Sequence, residues 1–188
     1  GYTASDYHIE PDASAATYLW AAEVMSKGQI DLGVDPDRMM QPDAKAWQVI
    51  QSWPTMPAVI DGSQMQDAVP TLAVLAAFNK TPVRFVGIEN LRVKECDRIR
   101  ACCNELNRLK PGLAEEQGDD LLVHSDASLI GQTSDAKIET YADHRIAMAF
   151  ALAGNFMPGL TILDPGCVAK TYPNYWRDMM ALGLKVTG

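Results

Sequence analysis

The residues that could carry chemistry gather in a few short runs. The densest is Arg92-Val93-Lys94-Glu95-Cys96-Asp97-Arg98, where Lys94 and Arg98 stand four apart and Glu95 and Arg98 three apart. On one helix face, or on the loop leading into it, that spacing sets two cations around a carboxylate. A carboxylate so held stays ionised or cycles as an acid–base group, and Lys and Arg can clamp a phosphate or carboxylate. A plain salt-bridged helix would have the same composition. A second run is Asp143-His144-Arg145. At a helix start, His and Arg face the positive end of the helix dipole, which is unfavourable unless an anion sits there or the Arg turns to solvent. Asp67 opens a comparable helix, either as an N-cap or as one member of a carboxylate pair with Glu95. Lys170 lies on the Pro- and Gly-bounded loop 164–173, from which it could reach an anion. His8 and His124, in strand-like surroundings, read as structural or exposed, and the Met and Trp residues fall at core spacing.

The elements that must position these groups follow a threefold plan. DASAATYLWAA begins at Asp12, DAVPTLAVLAA at Asp67 and DHRIAMAFALA at Asp143. Aligning the three aspartates superposes Ala16, Thr71 and Ala147, and also Ala22, Ala77 and Ala153. Asp is a favoured N-cap, and the apolar run behind it predicts a helix buried on every side. Each run then meets a turn signal and a short strand, at 29–32, 83–86 and 160–163. An amphipathic second helix follows in each unit, at 43–53, 96–109 and 175–182, with Ile99, Cys102, Leu106 and Leu109 on one face of the middle one. Further β-like runs stand at 58–60 and 121–124, the latter closing a hairpin through Gln117-Gly118-Asp119. A helix–strand–helix–strand module used three times makes an α+β chain. If the three buried helices run the same way, their N-termini meet at one end and their dipoles sum there into an anion site.

Composition narrows the classes of function. The chain has 188 residues, 47% of them apolar and 21% charged, which suits one globular domain spanning 1–188. No apolar stretch approaches the roughly 18 residues of a membrane helix. A net charge of −8 disfavours an extended nucleic-acid surface. The sign reverses locally, since 84–110 holds seven Lys and Arg against four Asp and Glu, an island that suits a small anionic ligand or a solvated helix face. Cys96, Cys102, Cys103 and Cys167 include no C-x-x-C pair, which fits reduced thiols and a cytoplasmic setting. No secretory signal is read at the start.

The run Asn90-Leu91-Arg92-Val93-Lys94-Glu95-Cys96-Asp97-Arg98-Ile99 resembles the 5-enolpyruvylshikimate-3-phosphate synthase family. So do Tyr141-Ala142-Asp143-His144-Arg145-Ile146-Ala147-Met148 and Asp164-Pro165-Gly166-Cys167-Val168-Ala169-Lys170-Thr171-Tyr172-Pro173, in the family's order. The resemblance covers essentially the whole chain and only the carboxy-terminal half of the family's enzyme. It implies an α/β prism, a domain of three βαβαββ repeats around buried helices. It implies transfer of the enolpyruvyl group of phosphoenolpyruvate to the 5-hydroxyl of shikimate-3-phosphate, with release of phosphate and no metal or organic cofactor. The cleft would be completed by an amino-terminal domain, whose lysine-serine loop, glycine-rich segment and serine-glutamine pair are not in this chain. By resemblance, Asp67 contacts the shikimate hydroxyls and helps deprotonate the attacking one, with Asn90 and Lys94 on the shikimate phosphate side. Glu95 is the acid–base group for the methylene carbon. Arg98, His144, Arg145 and Lys170 bind the phosphoenolpyruvate carboxylate and phosphate, and Asp143 helps to hold the site. Val69-Pro70 and Cys96 depart mildly from the commoner bacterial pattern and leave the charged positions intact. A half-site implies no appreciable turnover by these residues alone. The competing readings are a non-catalytic anion-binding domain and the related transferase that acts on a UDP-sugar, which lacks the Lys94-Glu95-x-Asp97-Arg98 run.

Overall fold

The computed structural model describes residues 3–6 and 9–187, so His8 lies outside the described residues. In chain order the elements are α1 (Ala13–Ser26), α2 (Ala46–Gln51), β1 (Val59–Asp61), α3 (Val69–Ala77), β2 (Val83–Val86) and α4 (Arg98–Leu109). There follow β3 (Ala114–Gln117), β4 (Asp120–Val123), β5 (Lys137–Ile138), α5 (His144–Ala153), β6 (Thr161–Ile162) and α6 (Tyr175–Ala181).

The three apolar helices are the interior. Every residue of α3 is buried, every residue of α5 except Arg145, and much of α1, which packs against both. The capping expectation holds for two of the three. Asp12 accepts from the backbone N–H groups of Ser14 and Ala15 at 2.9 and 3.3 Å, and Asp143 from that of Arg145 at 2.8 Å. Asp67 is not an N-cap: it sits in a 3-10 turn, Gln66–Ala68, and α3 starts two residues later with Pro70 in its first turn. Pro lacks the N–H that a cap would serve and is pre-set for a helix start, so the Asp67 carboxylate is released for other partners.

The middle unit realises the complete βαβαββ order as β1-α3-β2-α4-β3-β4. Its sheet runs β1-β2-β4-β3, with β1 and β2 parallel and the rest antiparallel, and the hairpin turns where Gly118 was expected to turn it. Val83 and Phe85 face inward while Arg84 faces out to Asp120 at 2.6 Å. The third unit pairs β5 with β6 in parallel, and the strand read at 160–163 shortens to Thr161–Ile162. The strand read at 29–32 does not form. Ile30 and Leu32 do alternate onto the core, but no strand lies beside them among the described residues, and a lone strand has no ladder. Two of the three second helices are trimmed at their starts, the first beginning as a 3-10 turn, Pro42–Lys45, and the middle one at Arg98 behind an Asp97 cap, while the third begins at Tyr175 as expected. Lys94 and Glu95 therefore stand on the leading loop and not on the helix. All four cysteines are free. No helix among the described residues is long and apolar enough to cross a membrane.

Leu72, fully buried in α3, is expected to lose about 3 kcal/mol of unfolding free energy on Leu72→Ala. Exposed Val93→Ala should stay within about 0.5 kcal/mol, both read by denaturant titration.

Candidate active site

Three turns of backbone bring the site together. The 3-10 turn before α3 offers Asp67, the loop before α4 offers Lys94 and Glu95, and α4 itself begins with Arg98. The third contribution is the start of α5, reached through Tyr141 and Ala142, which both adopt left-handed backbone with φ of 55° and 53°. For non-glycine residues that costs on the order of 1 kcal/mol each, and it swings Asp143, His144 and Arg145 onto the ends of the other two elements. Lys170 closes the group from the 3-10 stretch Pro165–Lys170, whose first carbonyl accepts from the Trp176 indole at 2.9 Å.

Arg98 is the centre. Its side chain is 1% exposed and touches three carboxylates. Nε donates to Asp143 at 2.7 Å, Nη1 to Asp67 at 2.8 Å and Nη2 to Glu95 at 2.5 Å. Burial works against its charge, but the hydrogen bond and charge of Asp143 together with the charges of Glu95 and Asp67 outweigh it, so its pKa is raised. The same carboxylates reach other cations: Asp67 meets Arg145 at 3.0 Å and Lys94 at 3.6 Å, and Glu95 meets Lys170 at 2.7 Å. Four cations thus share three carboxylates.

Burial alone would raise the pKa of Glu95. The hydrogen bond from Lys170, its own backbone N–H and the Arg98 charge outweigh that and hold it at about 2. His144 is buried and lowered, first by desolvation and then by Arg145, so its ring is neutral. Neither ring nitrogen has a hydrogen-bond partner among the described residues. Buried polar atoms in that condition call for a ligand or water. Burial pushes the Cys96 thiol up to about 12, with the neighbouring Asp143 carboxylate adding to it, which rules it out as a thiolate nucleophile.

Of the residues singled out from the sequence, Asp67, Lys94, Glu95, Arg98, Asp143, Arg145 and Lys170 form this one network, with His144 buried beside it. Asn90 stays exposed on the 3-10 turn Glu89–Val93, outside the network. His124 is exposed, 3.9 Å from Glu115 across the hairpin. Sequence reasoning missed two neighbours. Asp43 hydrogen-bonds Ser14 in the first turn of α1, and its carboxyl is raised chiefly by burial and also by the Asp67 charge. Tyr18, on α1, lies against Arg145, and burial pushes its phenol up to about 12. A half-buried carboxyl behind Pro42 at a helix start left no signal beyond ordinary capping.

The family model described as EPSP synthase (3-phosphoshikimate 1-carboxyvinyltransferase) matches residues 2–179. The chain belongs to this family. It is 69% identical over its whole length to the 3-phosphoshikimate 1-carboxyvinyltransferase of Rhizobium etli (strain CIAT 652), of which it covers 45%. Identity to the protein of the same name from Pseudomonas savastanoi pv. phaseolicola (strain 1448A / Race 6) is 66% over 186 residues, covering 99% of this chain and 44% of that protein. The chain therefore spans about half the length of the curated relatives it matches. Among solved structures, EPSP synthase from Acinetobacter baumannii superposes with a TM-score of 0.69 at 21% identity, over 92% of this chain and 46% of that one. That likeness supports the α/β prism fold.

Two outcomes follow from the network. Arg98→Met leaves the buried Asp143 carboxylate without its cation and is expected to cost about 3–5 kcal/mol in denaturant titration, with Arg98→Lys recovering little because one ammonium cannot reproduce the fork. Glu95 has a folded pKa of about 2, below the 4.5 of a free side chain, so its contribution is complete above that value and fades as pH falls toward 2. The stability gap between wild type and Glu95→Gln should narrow steadily below about pH 5.

Proposed function

We propose that residues 1–188 are the carboxy-terminal domain of a two-domain enolpyruvyl transferase of the cytoplasm. Its substrates would be phosphoenolpyruvate and shikimate-3-phosphate, and its partner an amino-terminal domain that completes the cleft. The observation that carries the reading is the Arg98 cluster: four cations gathered around the start of α5, beside a buried histidine that has no hydrogen-bond partner among the described residues. Family membership supplies the substrate class.

Addition of the 5-hydroxyl to the enol ether needs a proton taken from oxygen and one delivered to the methylene carbon. In this reading Asp67 takes the first, with Asn90 and Lys94 turned to the shikimate phosphate. Glu95 delivers the second and receives it back when phosphate leaves. Arg98, His144, Arg145 and Lys170 hold the carboxylate and phosphate of the reacting enolpyruvyl group, and Asp143 keeps Arg98 in place. A carboxylate held at about 2 by Lys170 and Arg98 donates no proton near neutrality, so in this reading an incoming anion draws the exposed Lys170 away before Glu95 can act. Substrate binding and activation of the acid are then one event.

A full-length chimera, with residues 1–188 replacing the matching part of the Rhizobium etli relative, tests this. It should release phosphate from the two substrates together, Glu95→Gln should lower kcat about 100-fold or more, and residues 1–188 alone should release none. A folded chimera without phosphate release, or full activity in Glu95→Gln, would overturn the assignment.

A further inference from the structure

Helix α4 meets the strand-to-helix segment 139–145 at two points on the same face. Arg98 and Glu105 lie seven residues apart, two turns along the helix. Arg98 holds Asp143. Glu105, its side chain 0% exposed, holds the residues just before it: Oε2 accepts from the Glu139 backbone N–H at 2.9 Å and Oε1 from the Tyr141 hydroxyl at 2.7 Å. Its charge is met by Arg108, with Nε at 3.0 Å. Between the two anchors run the left-handed Tyr141 and Ala142, and the turn closes with the Asp143 N–H donating to the Thr140 carbonyl at 2.8 Å.

A buried carboxylate is costly, and this one, besides pairing with Arg108 on its own helix, gives one oxygen to each of two groups of a strained turn. Left-handed backbone at two consecutive non-glycine residues persists only where the surroundings over-determine it. Glu105 supplies that constraint from one side and Arg98 from the other.

We propose that Glu105 is a positioning residue of the site. Acting through Tyr141 and the Glu139 backbone, it fixes the direction in which Asp143, His144 and Arg145 enter the anion-binding cluster. The kinetic form of this inference rests on the reading of the preceding subsection; the geometric form does not.

The test uses the full-length chimera with Glu105→Gln, Tyr141→Phe and the pair combined. Gln replaces one acceptor oxygen by a donor that faces other donors, and Phe keeps the ring while deleting the short bond to Glu105 and the longer one, 3.4 Å, that the hydroxyl accepts from Asn104. Glu105→Gln should raise KM for phosphoenolpyruvate about tenfold, the scale of a sub-ångström to ångström misplacement, and leave KM for shikimate-3-phosphate little changed. Tyr141→Phe should move the same constant in the same direction by less, and add little in the Glu105→Gln background, because both act through one contact. Loss of heat stability with both KM values unchanged would overturn the proposal, as would equal changes for the two substrates. Should Glu105→Gln fail to fold, Tyr141→Phe decides alone. An inactive but folded wild-type chimera would remove the transferase reading without removing this one. The readout then is the rise in melting temperature on adding phosphoenolpyruvate, which should be larger in wild type than in Tyr141→Phe; equal shifts, including none in either, overturn it.

Discussion

One guanidinium carries the geometry of this domain's charged end. Arg98 is buried almost completely, and a charge taken out of water is tolerable only when its hydrogen-bonding fork is filled. Asp143, Asp67 and Glu95 fill it, each from a different element. The start of α5, the turn before α3 and the loop before α4 are therefore located by one side chain. Hydrophobic packing of α1, α3 and α5 brings those backbones to roughly the right place. The ionic fork then fixes which side chains face one another, at a planar geometry that a lysine could not impose.

Helix ends make the arrangement coherent. Arg98 and Arg145 both stand in first turns, where the dipole disfavours a cation. Asp143 answers this twice, capping α5 through the Arg145 N–H and neutralising Arg98 across the gap. Asp97 does the same for α4, capping it while pairing with Arg92 at 2.9 Å. The carboxylates are thus both caps and counter-ions, and the helices can present cations at their positive ends without unfolding there.

Much of this was legible in the sequence, for identifiable reasons. Asp-led alanine-rich runs have no polar face, so their burial and threefold recurrence followed from composition, and the chemistry-bearing residues fell at helix starts or on the loops beside them. What failed depended on partners far away in the chain. Residues 29–32 alternate like a strand, yet a strand needs a neighbour, and sequence alone supplied none. Asp67 looks like the other two helix-leading aspartates, but Pro70 shifts the helix start and frees it. Asp43 and Glu105 were invisible because their roles lie in tertiary partners, Ser14 for one and Tyr141 for the other.

Burial ranks the ion pairs by how readily they can exchange. The Arg98–Asp143 pair has side chains 1% and 0% exposed, and parting it would strand two charges in a dry interior. Lys170 is 57% exposed and meets Glu95 at the rim, where a competing anion can displace the carboxylate from it at small cost. Under the proposed function an arriving phosphate or carboxylate would therefore capture Lys170 first, leave Asp143 on Arg98, and release Glu95 from the more exposed of its two cations. The most buried pair would be scaffold and the least buried one the moving part. The same network that keeps four cations together would then yield at the one carboxylate whose basicity the reaction needs.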